Sequence, residues 1–163
     1  MKLTIHDDPE VLTERTRALK KLKTIKVKVG LPPSAGDRLH FILAVQEHGS
    51  PIMHIPSRPV IHPALARDDI RAAMASAMKD AIAAAWEGKN PRPDLQAAGQ
   101  AGADGIRAYI DAHIPPNSSA TVNGGWIWNR AAKKAVYVKG KGFNKPLFDT
   151  GNLYNAFGYE IEE

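Results

Sequence analysis

The apolar positions of this 163-residue chain change period along its length, and each period predicts an element. Asp8 before Pro9 has the form of an N-cap followed by a first-turn proline. Val11, Leu12, Leu19 and Leu22 then predict a helix ending near Lys21. In Thr24–Gly30, Ile25, Val27 and Val29 alternate with Lys26 and Lys28, the period-2 signature of a strand with one buried and one basic face. Gly30 and the pair Pro32–Pro33 stop it. Leu39, Ile42, Leu43 and Val45 then trace a second helical stripe, with Asp37 as a cap and Gly49 just past its end. Four prolines in the 13 residues 51–63 exclude regular structure there.

The strongest periodic signal runs from Pro63 to Glu87. Ile70, Met74, Met78, Ile82 and Trp86 recur every fourth residue with alanines between them, predicting a long amphipathic helix opened by Asp68 and Asp69. Gly88 ends it. A further helix from Asp94 to His113 carries Leu95, Ala98, Ile106, Tyr109 and Ile110. It also carries Gly99, Gly102 and Gly105, whose expected role is close packing against the preceding helix. The last third replaces alanine with glycine, lysine and aromatics. Ala135–Lys139 is expected as a strand and Lys139–Lys145 as a basic loop. A short turn holds Leu153 and Tyr154, and Phe157, Tyr159 and Ile161 alternate as a final strand. The mixed order predicts an α+β fold, a small mostly antiparallel sheet packed against a long amphipathic helix and two or three further helices. The length suits one domain, 1–163, with residues 1–22 either an N-terminal helical arm or part of the core.

Charge changes this picture more than composition does. The net charge is +5, but 13 of the 22 Lys and Arg lie in two acid-free segments, Arg15–Lys28 and Arg130–Lys145. Glu160, Glu162 and Glu163 end the chain with the opposite sign. Such a distribution suits a polyanion or an acidic protein surface, or is simply a solvated face. Cysteine is absent, which excludes a disulfide framework, a thiolate metal site and a thiol nucleophile. No apolar run approaches the length of roughly 18 residues needed to cross a membrane, and MKLTIHDDPE lacks the apolar region of a secretory signal.

Candidate chemistry is sparse. The chain has six histidines, and none forms the i, i+4 pair with an intervening glutamate that a zincin helix uses. His48, His54 and His62 bracket the proline-rich stretch and can converge, but no metal or cofactor is expected. No serine sits in an elbow pattern, and GKGFNK lacks the spacing of a phosphate-cradling loop. No catalytic residue is therefore assigned, and a non-enzymatic chain is expected. Trp126, Trp128, Tyr137 and Phe143 interleave with six cations. The favoured reading of Trp126, Trp128 and Tyr137 is burial in a core. The alternative is stacking on bases while the cations meet phosphates, in a sequence-independent nucleic-acid-binding protein using residues 15–28 and 130–145.

Three stretches taken in order carry a resemblance. VGLPP (29–33) runs from a strand into prolines. AVQEHGSPIMHIPSRPVIHPAL (44–65) has a glutamate two residues before a glycine, then I-P-x-R-P at the mouth of a long helix. KGKGFNKPLFDTGNLYNAFGYEI (139–161) centres on P-L-x-D-T-G. Together they resemble the bacteriophage neck and tail-completion proteins, also called the virion-morphogenesis family, over roughly residues 25–163. His48 and Val60 depart from the family by standing where aromatics are frequent. The resemblance implies a structural minor tail protein rather than a catalyst. It implies a homo-oligomeric ring, six-fold by first expectation, completing the head-proximal end of the tail or joining head to tail in the virion after assembly in the bacterial host cytoplasm. Expected partners are further copies of the chain and neck or tail neighbours such as a connector, tail terminator or tail tube. A sequence-independent contact with genomic DNA in the channel is also expected, and no membrane.

On that resemblance the interface candidates are Arg58, Pro56, Pro59, Asp149, Thr150 and Gly151. Ile55–Pro63 would be a stiff docking segment, with Arg58 forking onto a carboxylate or backbone carbonyls of a neighbour or capping its own chain. Asp149 and Thr150 would fix a turn in which Gly151 takes positive φ, an architectural motif rather than a ligand site. Lys133, Lys134, Lys139, Lys141 and Lys145 are the candidates for DNA or an acidic partner. The basic segments and the acidic end would lie on opposite faces.

Overall fold

The structure, a computed structural model, describes residues 8–52, 55–114, 119–129, 132–142, 144 and 151–163. Its elements are α1 (Pro9–Thr24), β1 (Lys26–Gly30), a 3-10 turn (Pro33–Ala35), α2 (Asp37–His48), α3 (Ile61–Leu65), α4 (Asp68–Trp86) and α5 (Arg92–His113). They continue with α6 (Ser119–Asn123), β2 (Gly124–Asn129), β3 (Lys134–Lys139), α7 (Asn152–Ala156) and β4 (Gly158–Glu162). The fold is α+β, and its strands form two separate antiparallel pairs, β1–β4 and β2–β3. The chain divides into two compact units, one of residues 1–34, 61–106 and 157–163, the other of residues 35–60 and 107–156.

In the first unit, α1 starts where the sequence marks it. The Asp8 carboxylate accepts the Glu10 N–H at 3.0 Å, satisfying one of the free donors of the first turn. The helix runs one turn beyond Lys21, to Thr24, and packs against α4, with the Arg15 guanidinium 5.1 Å from the centre of the Trp86 ring. β1 and β4 pair so that Val27 lies opposite Ile161 and Val29 opposite Tyr159. This shared face is half-buried, while Lys26, Lys28 and Glu160 point outward.

The core of this unit contains Ile70, Ala81, Ala85, Leu95, Ala98, Ala103 and Ile106. The α4 stripe therefore differs from the expected one. Ile70 is buried, but Met78, Ile82 and Trp86 are 37%, 49% and 38% exposed. A row of every fourth residue gains about 40° per step over the 3.6-residue turn, so it spirals off the buried face. The alanines continue that face instead. The proline-rich stretch, expected to lack regular structure, also yields a short helix, α3, and α4 then starts at Asp68, where the acidic pair marks it. The glycines of α5 meet more than α4. A Cβ on Gly99 would lie 2.8 Å from Tyr159 Cβ in β4. On Gly102 it would lie 2.9 Å from a Val29 methyl in β1 and 3.2 Å from Met74 Sδ. On Gly105 it would lie 2.7 Å from a methyl of Ile70 in α4. Every third residue falls back about 60° per step, so successive glycines turn from the strands to the helix. The small sheet thus packs against a long helix, as the pattern predicts, and that helix is α5.

In the second unit, α2 packs against α7, and Leu43, Val60, Ile110 and Leu153 are buried. Asp37 is the first helical residue of α2 and Gly36 occupies the cap position, without a side-chain cap bond. The Tyr154 hydroxyl donates to Asp111 Oδ2 at 2.6 Å, and Arg107 Nε donates to the Tyr154 carbonyl at 3.4 Å, fastening α7 to the end of α5.

Candidate functional site

Two features of the second unit have the exposure and residue types of contact surfaces. The first is built where α2 ends. The Gly49 N–H donates to the Val45 carbonyl at 2.8 Å, and its φ of +73° turns the chain back along the helix. A Cβ here would lie 2.8 Å from both the Ile55 carbonyl oxygen and the Ser57 nitrogen, so the turn needs glycine. Ser50 and Ile55 exchange backbone hydrogen bonds of 2.8 and 2.9 Å, closing a small loop. The returning segment is then bonded to the last turn of α2. The Arg58 N–H donates to the Gln46 carbonyl at 2.6 Å and the Ser57 hydroxyl to the Glu47 carbonyl at 2.6 Å. The Glu47 carboxylate accepts the Val60 N–H at 2.8 Å, and Val60 itself is fully buried. The glutamate and the I-P-x-R-P of one sequence motif thus form a single clasp.

Pro56 and Pro59 are exposed on this clasp and Arg58 is half-buried. Among the described residues the Arg58 guanidinium has no hydrogen bond or ion pair. A shallow open hollow in the clasp is lined by His48, Ser50, Pro51, Ile55 and Pro56.

The second feature is the β2–β3 hairpin. Its register places Trp126 opposite Tyr137, Trp128 opposite Ala135 and Gly124 opposite Lys139, so these six residues share one face. Trp126 is 74% exposed, Trp128 66% and Tyr137 54%. The expected burial of these aromatics is overturned. Trp126 and Tyr137 meet edge to face with ring centres 5.7 Å apart. The other face carries Ile127 and Val138, also exposed, with Val136 half-buried. The short helix α6 adjoins β2 at the base of the ribbon. Lys133, at φ +48°, and Lys134 lie at the tip, and Lys139 at the base. All three are exposed, and Lys141 is half-buried just beyond.

The other expected sites fare differently. Asp149, Thr150 and Lys145 lie outside the described residues, as do His54 and Phe143. Gly151 has φ +81°, the conformation expected of it. Among the described residues no group of three or more His, Asp or Glu is placed to hold a metal ion. No helix among them is long and apolar enough to cross a membrane.

The acidic end of the chain does not face away from the first basic segment. β4 lies beside β1, Glu162 accepts a hydrogen bond from the Lys28 ammonium, and Glu163 pairs with Arg92 at 2.9 Å. The Glu162 carboxylate raises the pKa of Lys28 above its ordinary 10.5. That contribution is present below 10.5 and is lost as pH rises through the raised value. Asp69 is held below its ordinary 3.8 by hydrogen bonding from Arg67, and Glu87 below 4.5 by hydrogen bonding from Lys89. Their contributions are present above those values and fade as pH falls through the lowered ones. All these groups are exposed, so screening keeps each effect small.

An apolar cavity of about 210 Å³ in the first unit is lined by Ala18, Leu22, Ile25, Ala85, Leu95 and Ile161. Its rim carries Lys21, Lys89, Arg92 and Glu163, with no nucleophile or acid–base pair set in its apolar wall. The chain matches no known family model, no curated protein and no solved structure.

Proposed function

We propose that this chain is a structural component of a tailed-phage virion, assembled as a ring that completes the head-proximal end of the tail or forms part of the head–tail neck. The observation that carries the reading is the Glu47–Val60 bond. It unites the two halves of the motif behind the resemblance and holds Pro56, Arg58 and Pro59 in a preorganised, outward-facing segment. Such a segment loses little conformational freedom on docking. The half-buried Arg58 guanidinium then has a role in a complex, forking onto a carboxylate or onto backbone carbonyls of the next subunit. A contact between unlike surfaces repeated around an axis closes into a ring, and six subunits remain the favoured number.

Native mass spectrometry and negative-stain microscopy of the purified chain test this reading. The expected result is a closed ring that joins purified tails to heads. Arg58→Ala is expected to reduce ring yield and joining by about tenfold or more, equivalent to about 1.4 kcal/mol, with unchanged melting. A monomer at every concentration, inactive in joining, would refute the proposal.

The aromatic ribbon favours a second reading, sequence-independent nucleic-acid binding. Of the two basic segments, Arg15–Lys28 has Arg15 on Trp86 and Lys28 on Glu162. Lys133, Lys134 and Lys139 are exposed on the same ribbon as the aromatics, and that proximity carries this reading.

A further inference from the structure

We infer that the Trp126–Trp128–Tyr137 face of the hairpin is a stacking platform for single-stranded nucleic acid, with Lys139 on that face and Lys133 at the tip meeting the phosphates. The inference rests on the nucleic-acid reading and holds whether or not the chain forms a ring.

Three observations support it. The first is the placement of the aromatics. Three large rings lie on one face of a two-stranded ribbon, each more than half exposed. A hairpin of two strands is at best marginally stable alone, and both apolar faces of this one are open to a partner. The second is charge. Residues 124–142 contain Arg130, Lys133, Lys134, Lys139 and Lys141 and no Asp or Glu. A partner must therefore satisfy aromatic planes and cations at once, and a base-bearing polyanion does both. The third is spacing. Trp126 and Trp128 are two residues apart on one strand, so their side chains leave the backbone about 6.6 Å apart. That is about twice the 3.4 Å rise between stacked bases.

Bases in a duplex are already stacked on one another and present only their edges. Bases of a single strand present their faces, and every base has one, so recognition by stacking is independent of sequence. Lys139 lies on the aromatic face and Lys134 on the opposite one, with Lys133 at the tip. A strand crossing the ribbon meets cations at both ends of the aromatic row.

The test uses the full chain with a fluorescently labelled oligothymidylate of 20 nucleotides, a 20-base-pair duplex and anionic phospholipid vesicles. The expected result is binding of the single strand at low salt, weaker binding of the duplex and quenching of tryptophan fluorescence. The W126A/W128A variant should lose about tenfold or more in affinity by anisotropy of the label. W126F/W128F, which keeps the rings, should retain most of it. K133A/K139A should weaken binding and flatten the slope of log K against log salt by about 1.4, for two phosphates at about 0.7 each. Circular dichroism melts of all variants check that the fold is intact.

Failure to bind the single strand overturns the inference, as does W126A/W128A binding like the parent. If duplex and single strand bind alike and ignore the tryptophans, the stacking platform falls while nucleic-acid binding stands. If the oligonucleotide is not bound and W126A/W128A instead abolishes vesicle binding or self-association, the ribbon is a lipid or subunit contact and the inference is wrong.

Discussion

Replacing Gly99, Gly102 and Gly105 together with alanine is expected to lower the melting temperature of the protein, although alanine is the better helix former at each position. The two effects oppose each other and their magnitudes decide the sign. Alanine gains about 1 kcal/mol over glycine in a helix interior. Against that, each added methyl would come within 3 Å of a packed side chain: Tyr159 near its root, both branches of Val29, and three carbons of Ile70. The ring root of Tyr159 and the β-branched side chains of Val29 and Ile70 have little freedom to swing aside, so the strands and α4 must move off α5. Overpacking of this kind typically costs about 1–3 kcal/mol per site. The net loss for the triple variant is therefore about 3 kcal/mol, or roughly 6–12 °C in a chain of this size. Differential scanning calorimetry measures it directly. A rise in melting temperature would show that backbone entropy, not close packing, governs these positions.

Glu47→Ala should open the clasp at the end of α2. It removes the acceptor of the Val60 N–H, a bond in a part-buried setting, and leaves that donor without its protein partner. Leaving a buried amide unpaired costs about 1–3 kcal/mol. Glu47→Gln keeps an oxygen at the same reach and should restore most of the loss. Urea denaturation of both variants separates the bond from the charge, since equal destabilisation by alanine and glutamine would mean that the charge matters. If the clasp is the docking element proposed here, Glu47→Ala should also lower ring yield. In that variant the Pro59–Val60 end of the segment loses its tether, while the bonds of Ser57 and Arg58 to the backbone of α2 remain.

Legibility differed from element to element for identifiable reasons. Asp8, Pro9, Gly49 and Gly88 marked helix ends because their preferences act within a few residues, and the structure follows them. The alternation in β1 and β4 likewise reports one half-buried face whatever lies above it. The α4 stripe misled because an i, i+4 row looks regular on paper but spirals on a real helix. The bond from Val60 to Glu47 carried no local signal, since the two residues are 13 positions apart and meet only when the chain reverses at Gly49. Large rings are usually buried, so the pattern of the aromatic ribbon points to core. Nothing in the residues 126–137 states whether another layer will cover them.

By itself, the sequence determined the α+β class, the places where helices start and stop, the acid-free character of the hairpin segment and the lack of thiol chemistry. Each follows from local backbone preference, side-chain period or simple presence of a residue type. Tertiary structure alone decided which neighbours the α5 glycines admit, that β4 and its glutamates pair with basic β1, and that Trp126, Trp128 and Tyr137 stand in solvent. These depend on which surfaces meet across long sequence separations. Burial is a property of that meeting, not of the residue that undergoes it.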